Sequence, residues 1–313
     1  MRTLNGSVAL VESCWRVPIS AGSAPEVRPF GPLRGAAADA ARSLVASARL
    51  AWAIEGNWAE PVYLAAFLIV RPLAFLGLFL AVLSIGGTLN VATIGFVVIG
   101  QAVFQIVSAA LEGPTHALLD DRERYRTIRY IFATPSSLLP VSIGRSLVKA
   151  SIAGFSALIV IGAGMLLGVP MRAGGPDLLL LAAVLPLGLL SVVGLGIVLG
   201  GVCVQLRNDA WAYPQAVSST VFLLCGAIFP LEVLPGPVQS IAAALPITWW
   251  IEGLRRALLG TTSTGILGSM PTNELLLILA AGTVVIWLIS PRLFVAGIDR
   301  AREKGYLDRN TAS

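Results

Sequence analysis

Residues 118–140, LLDDRERYRTIRYIFATPSSLLP, carry three acids and four arginines between Asp120 and Arg129, and long apolar runs flank them on both sides. Hydrocarbon cannot hold such a run, because one charge at the centre of a spanning helix already costs about 2.5–3.5 kcal/mol on insertion scales. The segment has to lie in water, and the runs beside it then have to be membrane spans. It is also more than a polar loop. Leu118, Leu119, Tyr125, Ile128, Ile131 and Phe132 recur at three-, four- and seven-residue spacings, which predicts a short amphipathic helix ended by Thr134-Pro135. A charged helix with an apolar face, held close to a membrane, is a docking element for a soluble partner.

The remaining composition agrees with a membrane protein. Of 313 residues 56% are hydrophobic and only 12% charged, with a mean hydropathy of +0.82. The net charge of +5 does not point to nucleic acid, because the arginines sit in loops and tails between apolar runs, as the positive-inside rule requires. Cys14, Cys203 and Cys225 form neither a disulfide framework nor a metal-ligand spacing. The only lysines, Lys149 and Lys304, follow Val148 and Glu303, so no Gly-Lys is present to build a phosphate-cradling Walker loop. His116 is the only histidine, which excludes an HExxH zinc site, and no GxSxG elbow accompanies it. No catalytic, cofactor or metal site is expected on this chain.

Taken in order, residues 1–35 read as a flexible cytosolic tail without a signal peptide. Residues 36–60 read as an interfacial amphipathic helix, with Ala41, Leu44, Val45, Ala48 and Trp52 on one stripe and Arg42 and Arg49 opposite. Residues 61–293 form the transmembrane domain. Six spans are predicted, near 62–85, 92–111, 151–169, 178–204, 211–229 and 275–293, each about the 20 residues a crossing needs. Arg71 lies inside the first span and has two readings, a functional charge or a snorkelling one, of which snorkelling is the plainer. Gly196 and Gly200 form a GxxxG that permits close helix approach. Residues 230–260 are too polar for a span and too apolar for a free loop, and read as two short helices broken at Leu245-Pro246 at the membrane edge. Residues 294–313 are a charged tail. The fold class is therefore an all-α integral membrane protein. Charge asymmetry puts both termini and residues 113–149 in the cytosol and residues 170–177 and 230–260 outside.

At this point the sequence resembles the permease subunits of ABC-2 type exporters. DRERYRTIRYIFATP followed by IGRSL is similar to that family's segment between spans two and three. FPLEVLP through ALPITWWIEGLRRALLG is similar to its P-x-x-x-L-P … P-x-T-x-x-x-E-x-x-R-x-x-L-x-G pattern, matched by Pro230, Pro235, Pro246, Thr248, Glu252, Arg255 and Gly260. The third likeness is the architecture, an interfacial helix and then six spans. Where many members have Glu-x-x-Gly-Thr-Leu-Glu, this chain has Tyr125-Arg126-Thr127-Ile128-Arg129, without the glycine and the second acid.

The resemblance implies a multi-pass protein of the cell (plasma or inner) membrane that forms a translocation path in the bilayer with a second permease copy or a sibling. A separate ATP-binding ABC subunit would carry ATP and Mg and dock on a cytosolic coupling helix over 118–135, through Asp121, Arg122, Glu123, Arg124, Tyr125, Ile128, Phe132, Thr134 and Pro135. Residues 230–260 would be an extracytoplasmic re-entrant segment, in which Glu252 and Arg255, three apart on a helix, would form an ion pair. The competing reading is a self-sufficient secondary transporter, which should show an internal repeat or acids near the midplane. An intramembrane enzyme would need paired carboxylates or a Ser/His pair at membrane depth.

Overall fold

The structure, a computed structural model, describes residues 34–57, 60–88, 90–123, 138–170, 172, 175–206, 210–260 and 265–305. The chain divides into two units, 1–38 and 39–313, and the contacts below belong to the second. Its elements are α1 (Arg34–Asn57), α2 (Pro61–Ile85), α3 (Val91–Glu123), α4 (Leu138–Leu166), α5 (Leu178–Cys203), α6 (Ala212–Leu224), a 3-10 turn (Leu231–Val233), α7 (Gly236–Ala244), α8 (Pro246–Leu259), α9 (Gly265–Ser269) and α10 (Thr272–Glu303). There is no strand among the described residues. This is an all-α membrane protein, in which α2, α3, α4, α5 and α10 are long and apolar enough to cross a bilayer.

Two elements differ from their sequence reading. The second span and the start of the charged helix are one continuous helix, α3, of 33 residues with Pro114 inside it. Proline removes only one helical donor, so tertiary contacts can carry a helix through it. The fifth predicted span, 211–229, is the 13-residue α6. That is about 20 Å of helix, against a hydrocarbon core of about 30 Å. The helix stops at a turn where Gly226 takes φ +70°, a left-handed conformation that glycine adopts without strain.

α3 and α5 form the centre. α3 packs on α2, α4, α5, α6 and α8, and α5 packs on α3, α4, α8 and α10. The most apolar window of α3 is 61% buried, whereas that of α2 is 11% buried, so α2 is a peripheral helix. The GxxxG reading holds at its first glycine. A Cβ on Gly196 would lie 2.6 Å from the Ala110 carbonyl, the same carbonyl that Pro114 leaves without a helical donor. On the other side of α5, the backbones of Gly201 and Gly297 meet so closely that a Cβ on Gly297 would collide with the Gly201 carbonyl.

α1 packs through small residues rather than its apolar stripe. Ser47 and Ala51 are buried, while Val45 and Trp52 are about half exposed. Gly144 of α4 permits this contact, since a Cβ there would run into Ser47 and the Leu44 carbonyl. Glu55 then pairs with Lys149 of α4 at 3.2 Å.

Candidate functional site

A cleft of about 320 Å³, lined by both polar and apolar side chains, lies between α2, α3, α4 and α6, with Glu55 of α1 at its edge. α3 supplies Gln101, Gln105, Ser108 and Glu112, whose spacing of four, three and four places them on a single helix face. α2 supplies Phe67, Arg71 and Phe75, α4 supplies Lys149 and Ser156, and α6 supplies Gln215, Ser218, Ser219 and Phe222. Arg71, Gln215 and Ser219 are exposed at the mouth; Gln101 and Ser218 are buried at the floor. The ring of Phe222 reaches those of Phe104, at 4.2 Å between centroids, and Phe79, at 5.9 Å, and closes one side with aromatic surface.

The local chemistry of α2 explains why the cleft stays together. Pro72 has no N–H, so the Leu68 carbonyl loses its helical donor; Ser156 of α4 donates to that carbonyl at 3.0 Å. The polar groups that remain are sparsely used. The Gln101 Oε1 is enclosed and accepts no hydrogen bond. Arg71 stacks on Phe67 at 4.9 Å, and Glu112 sits against the Ser218 hydroxyl within electrostatic reach of Arg71. Arg71 and Glu112 form no ion pair with each other or with another group among the described residues.

Sequence reasoning found Arg71 here and missed the rest, because ending the second span at residue 111 left Glu112 outside the membrane. The missed signal was the polar stripe itself. Gln101, Gln105, Ser108 and Glu112 recur at helical period within an otherwise apolar run.

The residues assigned to the coupling helix divide in two. Asp121 and Arg122 are buried. Asp121 accepts two hydrogen bonds from Arg145 of α4, at 2.7 and 3.1 Å, and Arg145 also donates to the Ala117 carbonyl at 3.0 Å. Arg122 donates to the carbonyl of Val204, just past the end of α5, at 3.2 Å. These two side chains thus clamp α3 to α4 and α5. Glu123 is the last residue of α3. Arg124, Tyr125, Ile128, Phe132, Thr134 and Pro135 lie outside the described residues.

Residues 230–260 form two short helices, α7 and α8, that meet at Leu245-Pro246. Pro230 precedes the 3-10 turn, Pro235 caps α7 and Pro246 opens α8. Pro246 cannot donate to the Ala242 carbonyl, which accepts instead from the Leu245 N–H at 3.1 Å and from Thr248 Oγ1 at 2.7 Å; Trp249 Nε1 donates to the Ala243 carbonyl at 2.7 Å. The ion pair anticipated between Glu252 and Arg255 forms instead with Arg256, one helical turn along at 3.1 Å. Arg255 is drawn the other way. It donates to the carbonyls of Gly226 (2.9 Å), Ala227 (3.1 Å) and Phe96 (3.2 Å) and lies 3.4 Å from the Phe96 ring centroid. Gly260 ends α8 at φ +71°, and the backbone of Arg172 and Asp177 donates to the last carbonyls, Leu258 and Ala257. The clamp and this hairpin sit at opposite ends of α5.

Long apolar helices around a cleft, with buried charges held by hydrogen bonds and ion pairs at both ends, define a multi-pass membrane protein. A family model described as ABC-2 type transporter matches residues 46–259, which is more than half of the chain and includes the whole cleft and both helices of the hairpin. The chain belongs to the ABC-2 type transporter family and is a permease component of an ABC-type transporter. A comparison with curated proteins found no match.

Proposed function

We propose that this chain is the permease subunit of an ATP-binding-cassette exporter, that its cleft forms part of the translocation path, and that a separate ATPase subunit supplies the energy. The observation that carries this reading is the family match running unbroken across every residue of the cleft. The lack of any Gly-Lys in the sequence supports hydrolysis on a partner chain. The ATPase docks on the coupling helix over 118–135, the start of which carries Asp121 and Arg122 of the clamp with Arg145. A second permease copy or a sibling covers part of the exposed apolar surface of α2, and the bilayer covers the remainder. The protein resides in the cell membrane with both termini in the cytosol. One observation favours the competing secondary-transport reading: Glu112, an acid, lies within a span-length helix.

Co-purification separates the two readings. Ile128→Ala combined with Phe132→Ala removes two apolar side chains four residues apart, and such anchors commonly carry more than about 1 kcal/mol of binding each, roughly a fivefold loss of affinity. The double variant should lose the ATPase and export while still purifying as a folded membrane protein. Glu123→Gln should be milder and more salt-sensitive. Full export by the double variant without a bound ATPase would favour the self-sufficient transporter.

A further inference from the structure

The cleft holds two opposite charges, Arg71 and Glu112, that lie within electrostatic reach of each other but form no direct ion pair. Arg71 offers its guanidinium donors at the mouth with only the Phe67 face beneath it. Glu112 has a hydroxyl neighbour, Ser218, and no ion-pair partner among the described residues. Below them the enclosed Gln101 Oε1 has no donor. Buried polar groups are normally paired, so an unpaired acceptor that lines an open cleft is a natural place for a ligand donor. The other two charges of the cleft, Glu55 and Lys149, pair at 3.2 Å, and Lys149 also lies within electrostatic reach of Glu112.

We propose that this cleft binds the head group of a zwitterionic amphiphile, its anionic group on Arg71 and its amine between Glu112 and the Gln101 carbonyl oxygen. This rests on the permease reading and gives it a cargo chemistry. A solely anionic head group would meet Glu112 as a like charge, and a solely cationic one would meet Arg71. The volume is that of a head group and not of a whole lipid: about 320 Å³ lies at the lower end of small-molecule sites. The tail stays outside, against the exposed apolar side chains that flank the mouth on α2 and α6, such as Phe75, Leu78 and Leu223.

The test is equilibrium binding to the full-length permease in nanodiscs, with three probes of the same chain length: lysophosphatidylethanolamine, lysophosphatidylglycerol and dodecyl maltoside. Lysophosphatidylethanolamine should bind most tightly. Arg71→Gln and Glu112→Gln should each weaken it about tenfold or more, with Arg71→Lys retaining much of the affinity. Glu112→Gln should also reverse the order, so that the anionic probe binds at least as well as the zwitterionic one. Arg71 is exposed and Glu112→Gln keeps a side chain of the same shape, so neither change is a folding variant. Competition distinguishes the source of the ligand. If a bilayer lipid is the natural occupant, phosphatidylethanolamine in the nanodisc displaces the probe; if cargo arrives from water, it does not. Either result sustains the zwitterion. A wild-type preference for the anionic or the neutral probe, or unchanged affinity in both Gln variants, would overturn it. Retention of the partner ATPase would show that the permease reading survives that failure.

Discussion

Asp121 and Arg145 each carry a charge into an almost enclosed position, and two hydrogen bonds between them make that tolerable. A buried pair of this kind adds little net stability over an apolar substitute, but breaking it by removing one member leaves the other unpaired, at a cost of about 3–5 kcal/mol. Asp121→Asn and Arg145→Gln should therefore each lower the midpoint of thermal unfolding in detergent by many degrees. The double variant should lose clearly less than the sum, since the second change removes the charge that the first one stranded. Equal, additive losses would mean that the two residues act separately. Asp121 shows how a residue type misleads when it is read without its neighbours. An acid in a charged run reads as solvated, and only the return of α4 from residue 138 brings Arg145 to it. Arg255 misled in the same way. Its spacing from Glu252 allowed an ion pair, but the carbonyls of Gly226 and Ala227, brought in by a turn almost thirty residues earlier in the chain, hold it instead.

Helix packing turns on single atoms at Gly196 and hardly at all at Gly200, although the two form one motif. A Cβ on Gly196 would lie 2.6 Å from the Ala110 carbonyl; one on Gly200 would find its nearest neighbour at 3.7 Å, an ordinary contact. Gly196→Ala should accordingly push α3 and α5 apart and cost about 1–3 kcal/mol, whereas Gly200→Ala should be near neutral. Unfolding midpoints of the two variants, measured side by side, check this directly. Element existence was legible in the sequence wherever apolar runs were long, as in α2, α5 and α10, and the break between α7 and α8 at Pro246 was legible because proline acts locally. Element ends were not. α3 continues through Pro114 because α5 packs against it there, and α6 ends at Leu224 because Gly226 turns the chain, while the apolar composition continues through Phe229. Of the candidate site, the hairpin residues were legible from their motif. The cleft was not, because it is made by four helices whose polar positions each look incidental alone.

The second unit has one end formed by the clamp, the start of α6 and the end of α10, and an opposite end formed by α8 and the residues before α5. The orientation proposed above puts the clamp end in the cytosol. With Cys14, Cys203 and Cys225 replaced, Ser136→Cys should react with an impermeant maleimide only after the cells are opened. Val233→Cys, 71% exposed in the turn before α7, should react on intact cells. The reverse pattern would invert the topology. The same view of the molecule separates a densely packed block, α3, α4, α5, α8 and α10, from two lightly held helices, α2 and α6. The cleft takes its mouth from the lightly held pair, and its floor from Gln101 of the block together with Ser218 of α6. If the cleft binds cargo as proposed, substitutions at exposed positions such as Arg71, Phe75, Gln215 and Ser219 change what it recognises at little cost to folding, because surface changes away from buried contacts usually fall within about 0.5 kcal/mol. On that proposal, selection can retune the cargo by drift along two helix faces, while the charges that hold the architecture stay fixed.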